Sequence, residues 1–230
     1  MTTRSSFFEG LGSVGAHLLD QAEFRGRVAD FYRSHEGLRS SGKTEAEYEE
    51  LIFPNDRPEW RRRASDEMFS CALRFLAVCR LLGVPHKLLA EPYERRPSMA
   101  VADSENVARA FGALVQGTAL ASYDPSPGDA MLSGPGDAVH LSCVVEEGLE
   151  TSEGGATYRR IVCVDGGQGR KGDMAIEQNI YLIERGPGGK ASLRSSIESP
   201  RYAYEHPGPA KPLRWCVDLW TLVLNAGLLK

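Results

Sequence analysis

The sequence predicts an α+β domain, and three observations point there. Apolar residues recur at helical spacing through the first half of the chain. Alternating, β-branched segments fill much of the second half. No repeat and no clean linker divides the two. Helices followed by an antiparallel sheet is the segregated order of an α+β fold. The expected architecture is a group of N-terminal helices, one of them central and buried, packed on an antiparallel sheet. A single domain over 1–230 is expected, with 1–60 as a helical N-terminal extension and 61–230 as the core.

Phe24, Val28 and Phe31 share one helical face, so that stretch reads as an amphipathic helix. Thr44 and Glu47 match a capping box that opens a short helix ending before Pro54, and Pro58 starts a turn near Trp60. The next helix holds Cys71, Phe75, Val78 and Leu82 on one face and Phe69, Ala72, Leu73 and Leu76 on another; only Arg74 and Arg80 interrupt. A helix apolar on several faces is a central one. Gly83 and Pro85 end it. Ser104 to Leu120 reads as a further helix capped by Asp103 or Ser104. The chain then turns at SYDPSPGDAMLSGPGD and enters AVHLSCVVEE, a strand. GLETSEGGA reads as a loop, YRRIVCVD as a strand, GGQGRKGD as a turn and AIEQNIYLIER as a third strand. GPGGK is a tight turn, and residues 192–212, with four prolines, read as a long loop. PLRWCVDLWTLVLNAGLL is apolar and docks on the body, as strand or helix.

Composition removes several function classes. Hydrophobic residues make up 42%, enough for an ordinary core, and the formal charge is −4. No basic patch suggests nucleic acid; Arg61 to Arg63 are followed closely by Asp66 and Glu67. No apolar run is long enough to span a membrane, and the start lacks a secretory core. The expected location is the cytoplasm, with export by a signal-independent route left open. Five cysteines without CxxC spacing argue against a disulfide framework and against structural zinc. Gly10, Gly12 and Gly15 match a dinucleotide fingerprint in letters, but no strand precedes them. The segment Asp165 to Asp173 lacks the ending of a phosphate loop and the spacing of a calcium hand. No metal or cofactor is expected.

One constellation carries chemistry. A thiol nucleophile needs help to ionise, and a helix start, a histidine base and a polar orienter supply it. Taken alone, Cys71 is core packing. His140 lies in mid-strand and faces away from Leu141 and Cys143. Asp165 ends the next strand, and a register with 140 opposite 165 puts the pair on one face, roughly 5 Å apart. Gln168, in the glycine turn, is the alternative orienter. His17, His35, His86 and His206 read as surface or packing residues, and Cys79, Cys143 and Cys163 as inert core.

The strings FSCAL, PGDAMLSGPGDAVHLSCVVE and RIVCVDGGQG, in that order, resemble the NlpC-type and amidohydrolase/peptidase branch of the papain-like cysteine hydrolases. The resemblance covers about 65–185. It implies a papain-like catalytic core over 61–230, with Cys71 as nucleophile, His140 as base and Asp165 or Gln168 as orienter. Its implied activity is hydrolysis of an amide in a cell-wall peptide, through a thioester. Ser70 and the Cys71 backbone N–H are expected at the oxyanion, and Gln168 at the rim. The chain departs from the family in placing Ala72 and Leu73 after the cysteine and Leu141 after the histidine. Its expected partners are a peptide or peptidoglycan-fragment substrate and, for a bacterial effector cargo, a secretion machine or an immunity protein. The alternative is a non-catalytic member of the same fold that acts as a binding or assembly module. A thiol acyltransferase on that scaffold is a third reading.

Overall fold

Six antiparallel strands close on themselves. The computed structural model describes residues 20–39, 72–84, 100–136, 139–170, 173–186, 188, 190–200 and 209–228. The strands are β1 (Leu114–Gln116), β2 (Ala130–Ser133), β3 (His140–Val144), β4 (Leu149–Glu153), β5 (Ala156–Arg170), β6 (Asp173–Arg185), β7 (Ala191–Ser195) and β8 (Lys211–Val217). Around the barrel the order is β8, β2, β3, β5, β6, β7, and β7 pairs back onto β8 at Ser192↔Pro212 and Leu193↔Lys211. β1 adds to β8, and β4 forms a hairpin with the start of β5. The helices are α1 (Gln21–Arg33), α2 (Ala72–Leu81), α3 (Ala100–Ala110) and the short α4 (Leu219–Asn225).

This closed barrel overturns the expected papain-like, NlpC-type α+β architecture. Three segments that read as turn or loop are strands: β2 lies in SYDPSPGDAMLSGPGD, β4 lies in GLETSEGGA, and β7 with the start of β8 lies in the proline-bearing 192–212 stretch. β7 and β8 are what closes the sheet. The turn read into GGQGRKGD is also shorter than expected, because β5 runs on to Arg170 and β6 starts at Asp173. The helix read over 104–120 begins at Ala100 and stops at Ala110; β1 and a 3-10 turn (Gly117–Ala121) fill the rest. The capping box at Thr44, the turn at Pro58, the glycines at 10, 12 and 15, and His17, His86 and His206 lie outside the described residues.

Strand alternation builds two apolar layers. Met131, Val144, Ile161, Cys163, Tyr181, Ile183, Leu213 and Cys216 fill the barrel. Leu132, Leu141, Cys143, Val162, Val164 and Trp215 face outward and pack with Phe24, Val28, Phe75, Val78, Val107 and Leu222 of the helices. α1 is amphipathic as its spacing predicts: Phe24, Val28 and Phe31 are buried, and Asp20 caps it by accepting from the Glu23 N–H at 2.8 Å. α2 ends where Gly83 adopts φ +87° and the Val84 N–H reaches the Cys79 carbonyl at 2.9 Å, a Schellman closure. No helix among the described residues is long and apolar enough to cross a membrane.

A polar clamp joins helices to barrel. Asp129, fully buried at the head of β2, accepts from Arg25 Nη1 at 2.7 Å, Tyr123 Oη at 2.6 Å, Ser126 N at 2.8 Å and Leu219 N at 3.0 Å. Arg25 Nη2 also reaches Asp218, the cap of α4, at 3.0 Å. Gly128 permits the close approach: its φ is +94°, and a Cβ there would lie 3.2 Å from Leu219 Cδ2 and 3.4 Å from Val28 Cγ1.

Asp129→Asn should destabilise the fold by about 3 kcal/mol or more, because it removes the fully buried charge partner of the Arg25 guanidinium and leaves the partly exposed Asp218 to balance it. Urea unfolding of both proteins at neutral pH measures this. A second expectation concerns Asp103 in the first turn of α3. Its carboxylate oxygens are buried without a partner among the described residues, and burial pushes the group up to about 6. The folded state therefore holds this proton more tightly than the unfolded chain, and stability falls as pH rises from about 4 to about 6. Asp103→Asn should remove that part of the pH dependence.

Candidate functional site

β3 starts at a mouth of the barrel. His140, Ser142 and Val144 point inward, while Leu141 and Cys143 pack under the helices. β3 and β5 pair at Cys143↔Val164 and Val144↔Cys163. Continued, that register sets Asp165 opposite Ser142, not opposite His140. The offset from the expected register is two residues, so the face is preserved. His140 Nε2 lies 3.4 Å from Asp165 Oδ1.

The two side chains differ in access. His140 has 22% of its side chain exposed and Asp165 has none. Asp165 Oδ2 accepts from Tyr181 Oη at 2.5 Å and from Asn179 Nδ2 at 2.9 Å. Asn179 Oδ1 in turn accepts from Ser199 Oγ at 3.1 Å, and Ser199 Oγ accepts the Ile180 N–H at 3.2 Å. The carboxylate is thus oriented by a chain of groups from β6 and the turn after β7. Its Oδ1 has no hydrogen bond within strict geometry among the described residues. The 3.4 Å separation is an ion-pair distance, longer than a good N–H···O bond. Such bonds are often long before substrate binds.

Burial alone would push the Asp165 carboxyl up. The charge and polar contact of His140, then the hydrogen bonds of Tyr181 and Asn179, outweigh it and bring the group down to about 2. With Nε2–H facing this carboxylate, a neutral imidazole carries its lone pair on Nδ1. The arrangement can therefore hold a histidine in one tautomer and stabilise it when it takes a proton.

The remaining candidates fall differently. Cys71 and Ser70 lie outside the described residues; Ala72, which follows Cys71 in the chain, is the first residue of α2. Gln168 is on β5 opposite Ala175, beyond an irregularity in the β5–β6 ladder that separates it from Asp165; its side chain is outside the described set. His35 is fully buried, with Nδ1 2.9 Å from the Phe31 carbonyl. Cys79, Cys143, Cys163 and Cys216 are buried free thiols, and burial, as the largest cause, raises three of them: Cys79, Cys163 and Cys216. Asn179, Tyr181 and Ser199 were not singled out by the sequence. The signal for the first two was present: in AIEQNIYLIER, Asn179 and Tyr181 are two apart and share a face with Glu177.

Asp165→Asn tests the electrostatics. Because the folded carboxyl sits below its ordinary value of 3.8, its stabilisation is complete above about pH 4 and is lost as pH falls through about 2. The variant should be less stable than wild type at pH 7 by on the order of 2 kcal/mol. Urea unfolding should show that difference narrowing between about pH 4 and pH 2.

Comparison with known proteins finds no relative for this chain: no family model, no curated protein and no solved structure matches it.

Proposed function

We propose that the protein is a thiol-dependent amide hydrolase in which His140 is the base, Asp165 orients it and Cys71 is the nucleophile. The observation that carries this reading is the pair itself: a partly exposed imidazole against a fully buried carboxylate that two further side chains hold as an anion. A purely structural histidine needs no such support, and the paired geometry is what acid–base chemistry requires. Cys71 enters the reading through the motif order of the resemblance; α2, which begins at the next residue, is fastened to β5 where Arg74 Nη2 donates to the Val164 carbonyl at 2.6 Å.

In the proposed reaction His140 Nδ1 takes the thiol proton. The thiolate attacks the amide carbonyl, and the oxyanion is met by the Cys71 backbone N–H and a donor at Ser70. The imidazolium gives its proton to the departing amine, leaving a thioester. Water, deprotonated by the same imidazole, releases the acid and restores the thiol. Asp165 stabilises the imidazolium in both halves. Cell-wall-type peptides are the first substrates to try, because the motif order around Cys71 and His140 implies them.

Iodoacetamide labelling across about pH 5 to 9, mapped by mass spectrometry, tests the reading. Cys71 should label rapidly with an apparent midpoint below the free-thiol value of about 8.5, and His140→Ala should slow it about tenfold or more. Cys79, Cys143, Cys163 and Cys216 serve as buried controls. A Cys71 that labels no faster than these, or that ignores His140→Ala, sinks the hydrolase and leaves the non-catalytic binding module in its place.

A further inference from the structure

Arg74 is an anomaly. The described side chains around it on α2, Ala72, Phe75, Leu76, Ala77, Val78 and Cys79, are apolar and buried. Arg74 is buried with them, 2% exposed, and no carboxylate pairs with it among the described residues. Its Nε and Nη1 find no partner there either. Its one hydrogen bond among the described residues is to the Val164 carbonyl. A guanidinium is rarely buried on such terms, and a buried group left so poorly satisfied asks for an explanation.

The place it fastens supplies one. β5 loses its regular ladder on both sides close to Asp165: before it on the β3 side and after it on the β6 side, where Asp165 itself still pairs with Glu177. On the β3 side, pairing reaches Cys143↔Val164 and goes no further among the described residues. On the β6 side, the register shifts between Asp165 and Gln168, where two residues of β5, Gly166 and Gly167, stand against one of β6. Tyr181 and Asn179 hold the carboxylate, and Glu177 of β6 is the one ladder partner of its backbone among the described residues. The Arg74 bond sits at Val164, the last residue of β5 paired on both sides, with Cys143 and with Gln178.

We infer that Arg74 is a positioning residue: by holding the Val164 carbonyl it anchors β5 to α2 at the last residue paired on both sides and keeps the following Asp165 within reach of His140. This deepens the reading proposed above, and it depends on the His140–Asp165 pair without depending on Cys71. Other charged or titratable groups around the pair are Tyr181 on its far oxygen, Cys163 on the same barrel-facing side of β5, and Glu177, opposite Asp165 on β6 and 3.8 Å from Arg39. None of these touches Val164 through a side-chain hydrogen bond that could replace Arg74 among those described.

The test is the pH titration of the His140 imidazole, followed by NMR in the full chain. Asp165→Asn should lower its midpoint by roughly one pH unit, since it removes the neighbouring charge. Arg74→Met should lower it in the same direction by about half that amount or more. Arg74→Gln and Arg74→Lys, which keep a polar head in the buried site, should give smaller shifts, with lysine closest to wild type. In the Asp165→Asn background Arg74→Met should add nothing, as expected when one residue acts through the other. A residue that only stabilises the fold would lower the unfolding midpoint and leave the titration unmoved. A folded Arg74→Met protein with the wild-type His140 midpoint overturns the inference; should that variant not fold, the same result in Arg74→Gln does so. The titration needs neither thiol nor substrate, so an inert Cys71 would end the hydrolase reading and leave this result intact.

Discussion

Asp129 is the interaction on which the rest of the structure depends. Its carboxylate is fully buried, and burial raises it even against Arg25, Tyr123 and Ser126. Such a group is tolerable only where its donors are all in place. Those donors come from α1, from the turn before β2 and from the start of α4. One side chain thus sets the position of two helices relative to the strand that begins the barrel. Gly128 beside it lets Val28 and Leu219 approach to within a few ångströms. Phe24 and Trp220 then pack ring against ring at 5.5 Å across the same junction.

The candidate site uses the opposite property. Where the barrel is well laddered its interior is apolar, as at Val144, Ile161 and Met131. Where β3 and β5 part and the β5–β6 register shifts, the interior turns polar: His140, Ser142, Asp165 and Asn179. Backbone pairing and apolar filling go together, because both exclude water. At their joint interruption the imidazole is partly exposed while the carboxylate beside it is fully buried. The side-chain chain from Ser199 through Asn179 to Asp165 fixes the carboxylate on the β6 flank, and Arg74 fastens the preceding residue from α2.

Much of the local structure was legible. The faces of α1 and α2, the Gly83 stop, the strands around His140, Val162 and Ile180, and the side of the strand that His140 occupies all follow from periodicity. The His140–Asp165 proximity was approached through parity: a two-residue error in register leaves both side chains on the same face, and a one-residue error would not. Asn179 and Tyr181 were visible as polar interruptions of an apolar strand, yet nothing local says what such an interruption faces. The extent of the sheet was not legible. Pro212 and the serines around Leu193 read as loop chemistry, and only pairing with β2 and with each other makes β7 and β8 strands.

By itself the sequence determined the elements whose own residues bury their own faces: amphipathic helices, alternating strands and the turns that glycine permits. These depend on spacing along the chain, which a sequence displays directly. Tertiary structure alone decided that the sheet closes, that Arg74 is buried with no carboxylate paired to it among the described residues, and that Asp165 is held low by His140 and by partners 14 and 16 residues away. Closure depends on contacts between residues far apart in the chain, and ionisation on the sum of burial and charge at one point in space. Neither quantity has a local signature.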